Sequence, residues 1–221
     1  MCLMRVTGMP VSDAVMPDLD YTDALDAFIA AHVPTRGKAG ILQAYDTVRQ
    51  MPYYSGPDRT PLAALRAGRG ACTAKHIILR DLLHRIGARA EVEIVEGDFA
   101  AAIPLHPTQP GDLQQMIRQA GVTDFHCRVR LLGLDNALAL DATWPDTLDA
   151  YGFAVNREWT GRGDTVQAMA KVTVRSRDDD VLGTKAILLA GLDAQATQKR
   201  LTFLRLLSGW LEAIDKTQRR L

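Results

Sequence analysis

At Gly87 the apolar period of this chain changes. Before it, Leu79, Leu82, Leu83 and Ile86 recur at helical spacing; after it, Ala88, Ala90, Val92 and Ile94 alternate with charged neighbours. The pattern predicts a helix from near Ala71 to Ile86, closed by a left-handed cap at Gly87, running directly into a half-buried strand over 88–96. The helix stripe then packs on the sheet to which that strand belongs.

The rest of the chain fits around this unit. Tyr21, Leu25, Phe28 and Ile29 mark a helix over 20–33, with Asp20 or Thr22 as cap. Ile41, Leu42, Tyr45 and Val48 mark another over about 37–51. Gly56-Pro57 breaks the chain, and a short helix over 60–67 ends at Gly68. A loop with Pro104, Pro107 and Pro110 precedes a short helix over 111–120. FHCRVRLLG and ALALDAT then flank Gly133-Leu134-Asp135-Asn136 as a hairpin, and 166–175 reads as a further strand. Helices over about 179–190 and 194–217 finish the chain, the latter with Leu204, Leu207, Trp210, Leu211 and Ile214 as its apolar stripe. Helices first, strands in the middle and helices last imply an α+β fold with an antiparallel sheet. We expect a single domain over 1–221, with a core of about 37–176 and a C-terminal helical extension of about 177–221. Whether that extension packs on the core or forms a dimer contact is open, as is the oligomeric state.

Of the 221 residues, 47% are hydrophobic, enough for a substantial core. Lys plus Arg and Asp plus Glu are both 26. That balance argues against a protein that holds nucleic acid by its phosphates, and gives no reason to expect a membrane surface as partner. No apolar run approaches bilayer length, and MCLMRVTGMPVSD lacks the apolar stretch of a secretory signal. We expect a cytoplasmic protein, and its three cysteines, Cys2, Cys72 and Cys127, to be reduced thiols. Cys2 is assigned no role.

Cys72 follows Gly68-Arg69-Gly70-Ala71 at the start of a helix. There the unpaired backbone N–H groups and the helix dipole favour a thiolate, and the Cys72 N–H can serve a developing oxyanion. The glycines are read as allowing a substrate close to the backbone. The alternative, a small inert core residue, is what an isolated Cys usually is. Stepping from Cys72 by three and four gives His76, Leu79, Leu83 and Ile86, so the thiol points to the helix–sheet junction, where a strand can deliver a base. The hairpin offers one: a two-residue turn at Gly133-Leu134 sets His126 opposite Asp141, and a longer turn keeps the two on one face. Cys127, Val129, Leu131, Leu138 and Leu140 fall on the other, apolar face, which makes Cys127 a core residue. His76, one turn after Cys72, is a rival base with only Asp81 as a possible orienting acid. Cys72, His76, His126 and Asp141 also form a conceivable zinc set, although no CxxC or HExxH supports it. We expect no metal and no cofactor. His32, His84 and His106 are read as surface or loop residues.

Taken in order, the G-x-G-x-C helix start, Arg85-Ile86-Gly87-Ala88-Arg89, a strand, a strand led by His126, and Leu140-Asp141-Ala142-Thr143 resemble the transglutaminase-like superfamily over roughly residues 41–144. Thr143-Trp144, Gly152-Phe153 and Trp159-Thr160-Gly161 resemble its small bacterial members. The resemblance implies a papain-like cysteine-proteinase fold and a triad of Cys72 as nucleophile, His126 as base and Asp141 as orienting acid. It implies hydrolysis of an amide or peptide bond, with a peptide, protein or small amide as substrate. Transfer of the acyl group to an amine, or a non-catalytic binding module on the same fold, are the alternatives. Two features depart from the family pattern. Cys127 and Arg128 follow the His, and Arg128 on the His126 face would disfavour imidazolium or hold an anionic substrate group. The side-chain oxyanion donor is also unplaced among Gln43, Tyr53 and Tyr54.

Overall fold

A computed structural model describes residues 20–133 and 136–218. Cys2 and the N-terminal stretch lie outside those residues, as do Leu134 and Asp135 of the hairpin turn. Four helices come first: α1 (Tyr21–His32), α2 (Gly37–Gln50), α3 (Pro61–Ala67) and α4 (Cys72–Arg85). Strand β1 (Arg89–Asp98) follows, then α5 (Gly111–Gln119), β2 (Thr123–Leu132), β3 (Leu138–Leu140), β4 (Ala170–Ser176), α6 (Val181–Ala190) and α7 (Ala194–Gln218). Two short 3-10 helices, Ala100–Ala102 and Asp146–Tyr151, were not anticipated from the sequence. No described helix is long and apolar enough to cross a membrane.

The chain is α+β, with a four-stranded antiparallel sheet in the order β3-β2-β1-β4. β1 and β2 pair along their whole length, from Arg89↔Leu132 to Asp98↔Thr123. β3 is short and pairs only with Val129–Leu131. The first half of β2, which carries His126, therefore extends past the end of β3, and the start of α4 is set against it. The local signals explain the elements. Asp20 accepts from the Asp23 N–H to cap α1, Thr60 from Ala63 to cap α3 with Pro61 behind it, and Gly87 takes φ +87° to turn the chain from α4 into β1.

The α4 stripe Ile78, Leu79, Leu82 and Leu83 is completely buried against α2 and the sheet. Burial of each such side chain is worth about 1.5–3 kcal/mol. A second cluster centres on Trp144, which packs on Tyr53, Phe99 and Phe153. The expected α7 stripe, Leu204, Leu207, Trp210, Leu211 and Ile214, is buried in it, so α7 belongs to the core. The Pro-rich loop packs there too: His106 lies against Tyr151 and Trp210, and the Trp210 indole N–H donates to Thr108 Oγ1.

Candidate active site around Cys72

α4 opens at Cys72 with Ala71 as its N-cap, and no side chain caps it. The first-turn N–H groups are thus left to the dipole end of the helix, beside the thiol. The approach is fixed by Tyr53–Gly70 pairing: the Tyr54 N–H donates to Gly70 O at 3.2 Å and the Gly70 N–H to Pro52 O at 3.1 Å. Gly70 has a packing role. A Cβ there would stand 2.8 Å from the Ala64 Cβ, so the space beside this glycine is occupied by α3 and is not open for a substrate. Gly68, with φ +61°, ends α3.

His126 and Asp141 meet as expected, with Nε2 2.8 Å from Asp141 Oδ2. They do so by a different register. Val129 pairs with Leu140 and Leu131 with Leu138, a shift of two residues from a two-residue turn. The shift is even, so both side chains keep the same face. Asp141, just beyond β3, is held from every side. Oδ2 also accepts from the Ala168 N–H at 2.8 Å, and Oδ1 from the Thr143 hydroxyl at 2.5 Å and its N–H at 3.1 Å. The Asp141 N–H donates to Thr165 Oγ1 at 2.6 Å, and its carbonyl accepts from the Tyr45 hydroxyl at 3.0 Å. Burial raises a carboxyl, but the His126 charge and hydrogen bond, the His76 ring and these N–H groups together hold Asp141 far below its ordinary range. Burial alone would lower His126; the charges of Asp141 and Cys72 and hydrogen bonds to both raise it to about 10.

Cys72 is 8% exposed. The neighbouring Cys127 thiol and the charges of Lys185 and His126 overcome burial and hold its thiol well below the ordinary value. Cys127 is in the core, as expected, packed among Ile77, Val92 and Ile94. It is also a neighbour of the site, which reasoning from strand faces alone missed. Lys185 of α6 brings the two together, with Nζ 3.6 Å from Cys72 Sγ and 4.0 Å from Cys127 Sγ. Nothing in the sequence around Lys185 marks it out, because helical periodicity reads it as one polar residue on a terminal helix.

His76 is not placed to act as base. Its Nδ1 donates to the Cys72 carbonyl at 2.7 Å and its Nε2 accepts from the Ala142 N–H at 2.8 Å, so the ring is a neutral clamp between α4 and the Asp141 segment. Burial lowers it to about 4. Asp81, its only suggested acid, is bound to the Tyr21 hydroxyl and to Arg80. With both His76 nitrogens engaged, the zinc set loses a ligand, and no group of three or more His, Cys, Asp or Glu side chains among the described residues is arranged to hold a metal. Arg128 does share the His126 face, but its charge goes to Glu93, at 2.5 Å. Lys75 on α4 is fully buried and donates to the carbonyls of Met51, Thr143 and Arg49 at 2.7, 2.8 and 3.1 Å. Burial pushes it down to about 7; three carbonyl acceptors favour the ammonium, and by that geometry it is a charged strut.

The three upstream oxyanion candidates separate cleanly. Gln43 is bound by the Thr35 hydroxyl at 2.7 Å, and the Tyr54 ring lies 3.8 Å beneath Arg69. Tyr53 is buried and shares a core cluster with Ala71; burial, and after it the Cys72 charge, pushes its hydroxyl up. Two cavities border the approach, one of about 90 Å³ walled by Tyr53, Tyr54, Arg69 and Leu211, the other of about 170 Å³ walled by Tyr54, Gly70 and Ala71. Comparison with family models, curated proteins and solved structures finds no match to this chain.

Proposed function

We propose that the chain is a cysteine-dependent acyl-transfer enzyme with a papain-like, transglutaminase-like core. With the Cys72 proton already on His126, the thiolate attacks an amide or thioester carbonyl, His126 gives that proton to the leaving group, and Asp141 orients His126. The single observation that carries this reading is the buried His126–Asp141 pair, 2.8 Å apart, beside the Cys72 thiol at a helix start that no side chain caps. The Cys72 N–H and the Tyr53 hydroxyl are the donors we assign to the oxyanion. Collapse of the tetrahedral adduct expels the amine, which takes the His126 proton; water, giving a proton to the now neutral His126, then attacks the thioester, and the C–S bond breaks to release the acid and the Cys72 thiolate. Water as acceptor, and so amide or peptide hydrolysis, is preferred over transfer to an amine, and the reducing cytoplasm suits two free thiols this close together.

The test is to trap the intermediate. Incubation with a library of acylated peptides, quenched in acid, should leave a thioester mass on the Cys72 peptide that Cys72→Ala lacks. A second reading, a binding module on the same fold, is favoured by the 8% exposure of Cys72. It is upheld if Cys72 alkylates at about pH 6, below the reference thiol pKa, while no library member acylates it.

A further inference from the structure

One buried charge has no part in that scheme. Lys185 is 5% exposed and lies on α6, beyond the core expected from the sequence. Its ammonium has three N–H groups and three neighbours: Thr73 Oγ1 at 2.9 Å, Cys72 Sγ at 3.6 Å and Cys127 Sγ at 4.0 Å. A buried ammonium is strongly disfavoured unless a counter-charge sits beside it. No carboxylate among the described residues pairs with Lys185. The acid whose field reaches it, Asp124, is bound by Arg200 at 2.5 Å. Only the two sulfurs remain to balance the charge. Cys127 has zero exposure, and the Cys72 thiolate beside it together with burial pushes its thiol up. Cys72 stands at the dipole end of α4 with a second cation, His126, nearby.

We propose that Lys185 is the positioning residue of the nucleophile: its ammonium holds the Cys72 sulfur as a thiolate and leaves Cys127 as the neutral thiol, whose S–H donates to Thr73 Oγ1 at 3.7 Å. The thiolate then lies between two cations of different kinds. His126 can give up its proton during a reaction. Lys185 keeps its charge, so the sulfur stays ionised whichever state His126 is in. The C-terminal helices thereby become part of the site. The inference rests on Cys72 being the reactive thiol but requires no acyl substrate. The other titratable and charged groups packed around it are committed elsewhere: Lys75 to three carbonyls, the neutral His76 to two backbone groups, Arg200 to Asp124, and Glu93 to Arg128 and Arg177. Tyr53 stays protonated, and Asp141 is common to wild type and variants.

The experiment is a titration of Cys72 in the full chain carrying Cys2→Ser. Iodoacetamide alkylation and ultraviolet thiolate absorbance are followed from about pH 5 to about pH 9. Lys185→Met should move the thiolate midpoint up by at least one unit and slow alkylation at about pH 6 by roughly ten-fold or more. Lys185→Arg should restore both. An unmoved midpoint in a folded Lys185→Met protein overturns the proposal, as does an equal shift in Lys185→Arg. If Lys185→Met alone does not fold, adding Cys72→Ala should rescue it by removing the uncompensated anion, and a failure to rescue overturns the proposal too. Neither readout involves acylation, so a shifted midpoint without any thioester would refute the enzyme reading alone, and a thioester with an unmoved midpoint would refute only the role of Lys185.

Discussion

His76 and His126 meet edge to face, ring centroids 5.6 Å apart, and both approach the carboxylate of Asp141, Nε2 of His126 at 2.8 Å and Nε2 of His76 at 3.6 Å. His76, wedged between two backbone groups, stays neutral down to about pH 4, whereas His126 holds its proton up to about 10. The difference lies in partners. Backbone groups at both nitrogens of His76 fix the neutral tautomer, while His126 faces an anion and a thiol that can become one.

Stability should register this. The His126 value is raised in the fold, so its contribution is full below its ordinary 6.5 and lost as pH rises through about 10. The Cys72 value is depressed, so its contribution is full above its ordinary 9.0 and lost as pH falls through the folded value. Between about pH 6.5 and 9 the two slopes oppose. Removal of the thiol exposes the His126 slope alone. The advantage of the wild type over Cys72→Ala should therefore grow with pH across this window, by on the order of 1 kcal/mol per unit. Urea unfolding at three pH values measures it. An advantage that shrinks with pH would mean that Cys72 is protonated in the folded chain.

Asp141→Asn replaces an oxygen that accepts two N–H groups, or one that accepts the Thr143 hydroxyl and N–H, by a donor. It should cost about 3–5 kcal/mol of stability and about a thousand-fold or more in acyl transfer. Alkylation of Cys72 should fall much less, because Lys185 still faces the sulfur. Denaturation, turnover and labelling on one preparation separate the three effects; equal losses of turnover and labelling would contradict the division of labour.

Tyr53→Phe removes a hydroxyl without emptying the space that the ring fills beside Trp144. We expect a stability change below about 1 kcal/mol and unchanged labelling, with acylation slower by about 100-fold. Acylation at the wild-type rate would exclude Tyr53 as an oxyanion donor.

Gly70→Ala drives a methyl to 2.8 Å from the Ala64 Cβ. The strain should cost about 1–3 kcal/mol and displace the backbone just before Cys72. A variant as stable as the wild type would show that the approach segment is loose.

Much of the fold can be read from periodicity. Among the described residues, the seven α-helices and four strands sit within a few residues of the expected spans, since most carry a clear period. The main boundary error is β4, which begins at Ala170 rather than 166 because residues 164–168 run beside β3 and use Thr165 and the Ala168 N–H on Asp141. His126 and Asp141 were legible for the same reason as the strands, since an even register shift preserves faces. What surrounds them was not. Thr165, Ala168 and Lys185 reach the site through tertiary packing between segments far apart in sequence, and no local pattern encodes that. Cys127 was half legible: alternation gives its face correctly, yet at the end of a helix abutting a strand one sulfur can be both core and neighbour.

Cys72 and Lys185 are 113 residues apart in the chain. During synthesis at about 5–20 residues per second, the thiol is made roughly 6 to 23 s before the ammonium that faces it. If Lys185 holds the thiolate as proposed, a nascent chain carries an ordinary cysteine, and the ionised one comes into being only when α6 docks. Damage or truncation at the far end would silence the sulfur without touching the segment that bears it.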